Sequence, residues 1–219
     1  IYTILRNKII TGGTTQFSRF KNLKEVKSLP AGNFLCAKEV FLRVGGFSKD
    51  LRYCEDTDFH ARLRKQGYKI FYVPGAEVIH LRYYESIYDL AKHMFKYGVG
   101  RGYALRVKKN LRTPFYFLLI LGFLLNALAE FFYIFLNLAV RTGLRHQYIF
   151  LIINLLTIWH KLLSGLLLIY LFIIAIVGLY LSLLERDLVY LIYAPIVGIT
   201  VHFTYILGLL LGLMGRHLK

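Results

Sequence analysis

Acidic residues are scarce in this 219-residue chain, where 12 Asp and Glu stand against 28 Lys and Arg and leave a formal net charge of +16 at pH 7. Cysteine is scarcer still. Cys36 and Cys54 are the only two, and no CxxC spacing occurs, which removes a disulfide framework and a thiolate zinc site and makes a reduced compartment the simpler inference. The first residue is Ile1 rather than Met, and the basic start, apolar run and small-residue cleavage site of a signal peptide are missing. No Asp-x-Asp follows a strand-like run, and no early βαβ nucleotide-binding unit is present. The chain therefore reads as a fragment.

Charge is also missing from one half of the chain. Residues 1–112 hold 22 of the 28 Lys and Arg and 9 of the 12 Asp and Glu, while residues 113–219 are dominated by apolar runs. With 57% hydrophobic residues the whole is too apolar for an ordinary soluble domain and too charged to be wholly embedded in lipid. Phe115–Leu138, Leu163–Leu184 and Leu188–Leu213 each come close to or exceed the roughly 20 residues that cross about 30 Å of hydrocarbon as helix, so three spans are expected. Residues 147–160 are apolar but short, and suit an interfacial helix. Asn126 and Glu130, four residues apart, share one face of the first span and point away from lipid.

Lys92 to Arg112 carries seven Lys and Arg and no acid, directly before the first apolar run. That placement favours anionic lipid headgroups at a cytoplasmic face over nucleic acid. The expectation is an integral protein of the cell membrane with a cytoplasmic soluble part.

Within residues 1–112, Ile1–Leu29 reads as a loop or linker. Glu55 to Gln66 reads as a helix, with Glu55, Asp56 and Asp58 in its first turn, Arg62, Arg64 and Lys65 in its last, and Gly67 as its stop. Asp58 and Arg62 sit at i, i+4. Tyr68–Val73 and Ala76–His80 read as strands around a Pro74–Gly75 turn, which makes the class α/β. A carboxylate at a helix N-terminus stays ionised, so one of the three acids is suited to act as a general base. The same acids could equally serve only to complement the helix dipole.

The blocks Gly32-Asn33-Phe34-Leu35, Val44-Gly45-Gly46-Phe47, Glu55-Asp56-Thr57-Asp58, Arg62 to Ile70 and Val73 to His80, in this order and spacing, closely resemble the second half of the GT-A catalytic domain of family-2 glycosyltransferases. The apolar tail resembles that of polysaccharide and lipid-linked-sugar synthases of the succinoglycan-synthase type. The resemblance implies the C-terminal half of a GT-A, Rossmann-like domain followed by an all-α transmembrane region. It implies an inverting hexosyl transfer from a nucleotide-sugar to a lipid-linked or polysaccharide acceptor, with Asp56 as base and Glu55 as its neighbour. A fragment of this kind is inactive alone. A divalent cation, Mg²⁺ or Mn²⁺, is implied with its main ligands in the absent half, and His80 lies where some GT-A enzymes help bind metal or diphosphate. Gly32 and Asn33 resemble the acceptor side. His93, Lys96 and Tyr97 stand where processive members carry Gln-x-x-Arg-Trp; a Lys for Arg and a His for Gln imply a less processive enzyme. The Gly98-x-Gly100-x-Gly102 run lacks the preceding strand of a dinucleotide loop and is expected to pack on the membrane surface. The competing reading is a multi-span transporter or scaffold with a regulatory soluble segment, its path lined by Asn126, Glu130 and His202.

Overall fold

A computed structural model describes residues 1–11, 20–76, 78, 84–108, 111, 114–142 and 147–215. The chain divides into two compact units, one formed by Ile1–Arg112 with Ile174–Lys219 and one by Thr113–Ile173.

The first unit opens with two single-turn helices, α1 (Tyr2–Leu5) and α2 (Lys8–Thr11), where the sequence reading had only a linker. Ile4, Leu5 and Ile10 explain the difference, because all three are fully buried and burial of such side chains is worth roughly 1.5–3 kcal/mol each. A short strand β1 (Lys24–Glu25) follows, then a 3₁₀ turn (Ala31–Asn33), α3 (Lys38–Arg43) and α4 (Glu55–Lys65). Strand β2 (Phe71–Tyr72) pairs antiparallel with β1, Lys24 opposite Tyr72 and Glu25 opposite Phe71. These two-residue strands form the sheet among the described residues, so the α/β expectation meets a mostly helical chain. The long strand expected over Tyr68–Val73 shrinks to Phe71–Tyr72, near its end. Most of the second expected strand lies outside the described residues.

Helices α3 and α4 close on a small aromatic core. Phe59 of α4 is fully buried and meets the rings of Phe34, Phe41 and Phe47 at centroid distances of 5.8, 5.1 and 5.2 Å, with Val44 and Leu63 beside it. The turn between the helices needs left-handed backbone at Gly45 (φ +86°) and Gly46 (φ +59°), which glycine adopts at little cost. Helix α4 stops as its sequence predicts. Gly67 is left-handed at φ +86°, and the amides of Gly67 and Tyr68 return to the carbonyls of Arg64 and Leu63 at 3.0 and 3.1 Å.

Helix α5 (Ile87–Val107) is capped by Ser86, whose hydroxyl accepts from the Asp89 amide at 3.0 Å. Its main partner is α8 (Val189–Leu213), and the contact is glycine against glycine. A Cβ on Gly98 or Gly102 would fall on the backbone carbonyls of Tyr205 and Leu209. One on Gly208 or Gly212 would fall on those of Phe95 and Val99. Gly98 and Gly102 thus serve close approach to α8, a role their spacing alone did not announce. Gly208→Val is expected to cost about 3 kcal/mol or more, because the clash is with backbone and no rotamer relieves it. Thermal unfolding in detergent checks this, and an unshifted midpoint would refute the close approach.

The second unit holds α6 (Pro114–Arg141) and the first part of α7 (Gln147–Glu185). Where the sequence suggested a short interfacial helix over 147–160 and a separate span from Leu163, α7 runs unbroken for 39 residues. No proline interrupts it, and Lys161 and Leu162 at the proposed break are strong helix formers. The helix is about 58 Å long at 1.5 Å per residue, longer than a hydrocarbon core is thick. Among the described residues, Ile149–Glu185 of α7 and Val189–Leu213 of α8 are long and apolar enough to cross a membrane. Asn126 and Glu130 of α6 do share a face, and it meets α7. His160 Nδ1 lies 2.8 Å from Glu130 Oε1, Tyr133 stacks on the His160 ring at 5.3 Å, and Trp159 Nε1 donates to Asn126 Oδ1 at 3.4 Å.

Candidate active site

The acid cluster at the start of α4 separates into a structural carboxylate and two others. Asp58 is 1% exposed; its Oδ2 accepts from Ser48 Oγ at 2.5 Å and from Arg62 Nε at 2.9 Å. Arg62 also donates through Nη1 to the Val44 carbonyl at 2.5 Å and through Nη2 to the Gly46 carbonyl at 2.6 Å. One guanidinium thus joins α4 to the glycine turn after α3. Asp58 is committed to that joint.

Glu55 and Asp56 are half-buried and pair with no cation among the described residues. Asp56 Oδ1 accepts from the Thr57 amide at 2.6 Å and the Thr57 hydroxyl at 3.2 Å, which fixes its rotamer and leaves Oδ2 without a hydrogen bond among the described residues. Burial pushes Glu55 above its usual carboxylate range; a backbone hydrogen bond opposes this, and the charge of Asp56 adds to it. A raised folded-state pKa means that the folded chain holds this proton longer than the unfolded one. Ionising Glu55 therefore costs stability as pH rises through and beyond the ordinary carboxylate range.

The approach to the pair is unusual. Cys54, the residue before α4, is a non-glycine in left-handed backbone at φ +65°, ψ +15°. Burial pushes its thiol up to about 11, against the favourable charge of Arg101. One turn along α4 from Asp56, buried His60 meets Ser28 Oγ through Nδ1 at 3.0 Å, and burial lowers its pKa, with the charge of Asp56 opposing. This ties the β1 segment to the helix that carries the acids.

The structure brings some of the expected site residues together. Tyr97 of α5 meets the ring of Tyr53 at 5.7 Å, one residue before Cys54, and stacks edge-on with His93 at 4.5 Å. Tyr97 therefore stands against the acid loop, with His93 packed behind it. Lys96, half-buried on the same helix, makes no ion pair with that loop among the described residues. Gly32 faces open space. Asn33 Nδ2 donates to the Ala76 carbonyl at 2.6 Å and so links the 3₁₀ turn to the Pro74–Gly75 turn. His80 lies outside the described residues, and among those described no three His, Cys, Asp or Glu side chains converge as a metal-ligand set. His202, on α8, meets the backbone of Ile9 and Ile10; it belongs to the first unit, whereas Asn126 and Glu130 belong to the second.

Sequence reasoning missed Tyr53. The available signal was its place two residues before Glu55.

The chemistry open to this arrangement is proton transfer by a carboxylate fixed at a helix N-terminus, on a chain with long apolar helices. Residues 13–211 match the model of "Glycosyl transferase family group 2", and the chain belongs to that family. Similar proteins include N-acetylglucosaminyl-diphospho-decaprenol L-rhamnosyltransferase from Mycobacterium tuberculosis strains CDC 1551 / Oshkosh and ATCC 25618 / H37Rv. Each is 39% identical over 61 residues, which is 27% of this chain and 20% of the relative. The matched stretch thus spans a fifth of the relatives' length. No solved structure gives a significant match.

Proposed function

We propose that this chain carries the acceptor side of an inverting, membrane-anchored glycosyltransferase that moves a hexosyl unit from a nucleotide-sugar to a lipid-linked acceptor. The observation that carries the reading is the division of labour at α4: Asp58 is used up by Arg62 and Ser48, while Asp56 keeps one carboxylate oxygen unengaged among the described residues. In this reading Asp56 takes the proton of the acceptor hydroxyl as that oxygen attacks the anomeric carbon, and the nucleoside diphosphate leaves from the opposite face. One base suffices, and no covalent intermediate forms. Glu55, made more basic by burial, orients or tunes its neighbour.

Gly32 and Asn33 border the acceptor, and Tyr97 offers a ring beside the acid loop on which a sugar can stack, with buried His93 supporting that ring on the acceptor side. Lys96 supplies a cation on the same helix. The divalent cation, Mg²⁺ or Mn²⁺, rests on the family resemblance, with its principal ligands contributed by a donor-binding half; it supplies charge stabilisation to the leaving diphosphate. The printed name of the similar proteins supports a polyprenyl-diphosphate-linked sugar as acceptor class over a soluble polysaccharide.

Helices α7 and α8, which are long and apolar enough to cross a membrane, are the proposed anchor together with the apolar run of α6, and confine the enzyme to the plane in which such an acceptor lies. In this reading the basic run Lys92–Arg112 faces anionic headgroups, with the soluble part on the cytoplasmic side of the cell membrane.

The test supplies membranes bearing the full-length protein with radiolabelled nucleotide-sugars and a short-chain polyprenyl-diphosphate sugar. The reading expects label in the organic phase. Label confined to the aqueous phase across the common nucleotide-sugars would overturn it.

A further inference from the structure

We infer that His60 is a positioning residue for the acceptor, tying the segment Ser28–Asn33 to the helix that carries Asp56. The inference rests on the reading of Gly32 and Asn33 as the acceptor side. His60 is 1% exposed on α4, four residues after Asp56 and so on the same side of the helix. Its Nδ1 lies 3.0 Å from Ser28 Oγ and accepts from the Leu29 amide at 3.5 Å. Its ring meets that of Phe34 at 5.2 Å. One imidazole thus touches both ends of the stretch from Ser28 to Phe34, with Gly32 and Asn33 between them.

The other ties of this stretch lead elsewhere. Upstream, the Val26 amide donates to the Ile70 carbonyl at 2.9 Å and continues the pairing of β1 with β2. Downstream, Asn33 Nδ2 donates to the Ala76 carbonyl at 2.6 Å. Both bonds run to the chain around β2, not to α4. His60 supplies the hydrogen bonds that join Ser28 and Leu29 to the acid helix, and Phe59 adds ring contact with Phe34 at 5.8 Å. The place of Gly32 and Asn33 relative to Asp56 therefore depends on Nδ1.

The chemistry of the ring points the same way. An amide N–H can only donate, so Nδ1 is the acceptor and Nε2 carries the hydrogen. Nε2 is buried and has no hydrogen-bond partner among the described residues. A buried donor left unpaired is costly, and beside Phe34 and Phe59 a phenyl ring would fill the space without that cost. Packing does not account for a histidine here. Nδ1 does.

The tie acts on acceptor binding rather than on proton transfer. A loosened Ser28–Asn33 segment must be ordered again each time acceptor binds, so the loss falls on KM for the acceptor and not on kcat or on KM for the nucleotide-sugar.

The experiment uses the full-length protein in membranes with a short-chain polyprenyl-diphosphate sugar as acceptor, and compares His60→Asn with His60→Gln. The amide oxygen of Asn can take the place of Nδ1, whereas the longer Gln carries its amide toward the place of Nε2. His60→Gln is expected to raise KM for the acceptor about 10-fold, as two hydrogen bonds are lost and the Leu29 amide is left unpaired, with kcat and donor KM within about 2-fold. His60→Asn should stay within about 3-fold of the parent in all three. An Asn variant as impaired as the Gln variant would overturn the inference, as would a rise of both KM values together.

A second readout is independent of turnover. Amide hydrogen exchange over Ser28–Phe34 should accelerate about 10-fold or more in His60→Gln relative to the parent and to His60→Asn. Ser28→Ala removes one partner at a half-buried position; it should raise both exchange and acceptor KM about 3-fold, and it keeps the test open if His60→Gln does not accumulate. Exchange that matches the parent in these variants would refute the tie. Accelerated exchange with an unchanged acceptor KM would overturn the reading of Gly32 and Asn33 as the acceptor side while the tie itself stands.

Discussion

Asp56→Asn in the full-length protein is expected to lower sugar transfer about 10²–10⁴-fold, the usual worth of a positioned general base. Folding and nucleotide-sugar affinity should stay close to the parent values. The substitution is nearly isosteric, and the amide oxygen of Asn can still accept from the Thr57 amide and hydroxyl that Asp56 Oδ1 now engages. Only proton acceptance is lost. Glu55→Gln should cost less, because Glu55 is assigned to its neighbour rather than to the acceptor. The check is kcat at saturating donor together with donor Kd by calorimetry. Retention of more than roughly a tenth of turnover, a barrier change under about 1.4 kcal/mol, would reduce the acids to partners of the helix dipole.

Arg62→Met should do the opposite, harming the fold before the chemistry. It leaves the Asp58 carboxylate buried without its cation and releases the carbonyls of Val44 and Gly46. Breaking one side of a buried pair costs on the order of 3–5 kcal/mol, and the partial exposure of Arg62 places the loss near the lower end. The thermal midpoint should fall by roughly 10 °C or more. Adding Asp58→Asn should restore part of the loss by removing the stranded charge. An Arg62→Met protein that melts with the parent would show that the joint between α3 and α4 carries no such weight.

The sequence exposed α4 and its environment well, because that region is governed by local rules. Acids at the first turn, bases at the last, Gly67 at the stop and an Asp58–Arg62 spacing all act within a few residues, and the structure bears each out. Short-range spacing also shows why Asn126 and Glu130 share a face. The missed features depend on what packs across the chain. Ile4, Leu5 and Ile10 look like a linker until α8 covers them, and nothing local to Ile1–Leu29 announces that cover. The interruption expected near Lys161 followed from charge within an apolar run, yet helix continuity depends on backbone breakers, which are absent there. The glycines of α5 were legible as a pattern. Their partners Gly208 and Gly212, over 100 residues away, were not.

The site shows the same division. Glu55 and Asp56 were legible from composition at a helix start and from the family resemblance. Tyr53 was not, since its place in the site arises only when Tyr97 and Gly100 of α5 pack on it. The Gln-x-x-Arg-Trp comparison drew attention to Lys96, whereas the α5 residues that pack on the acid loop are Tyr97 and Gly100.

The stereochemistry of transfer tests the single-base account most directly. Proton NMR of the first product, recorded before any mutarotation, reports the anomeric configuration of the transferred sugar through its C1–H coupling. Attack by an acceptor oxygen deprotonated by Asp56, with departure of the diphosphate from the opposite face, predicts a product of inverted configuration relative to the nucleotide-sugar. A product that retains the donor configuration would require a second displacement or a front-face path, and would contradict the role given to Asp56.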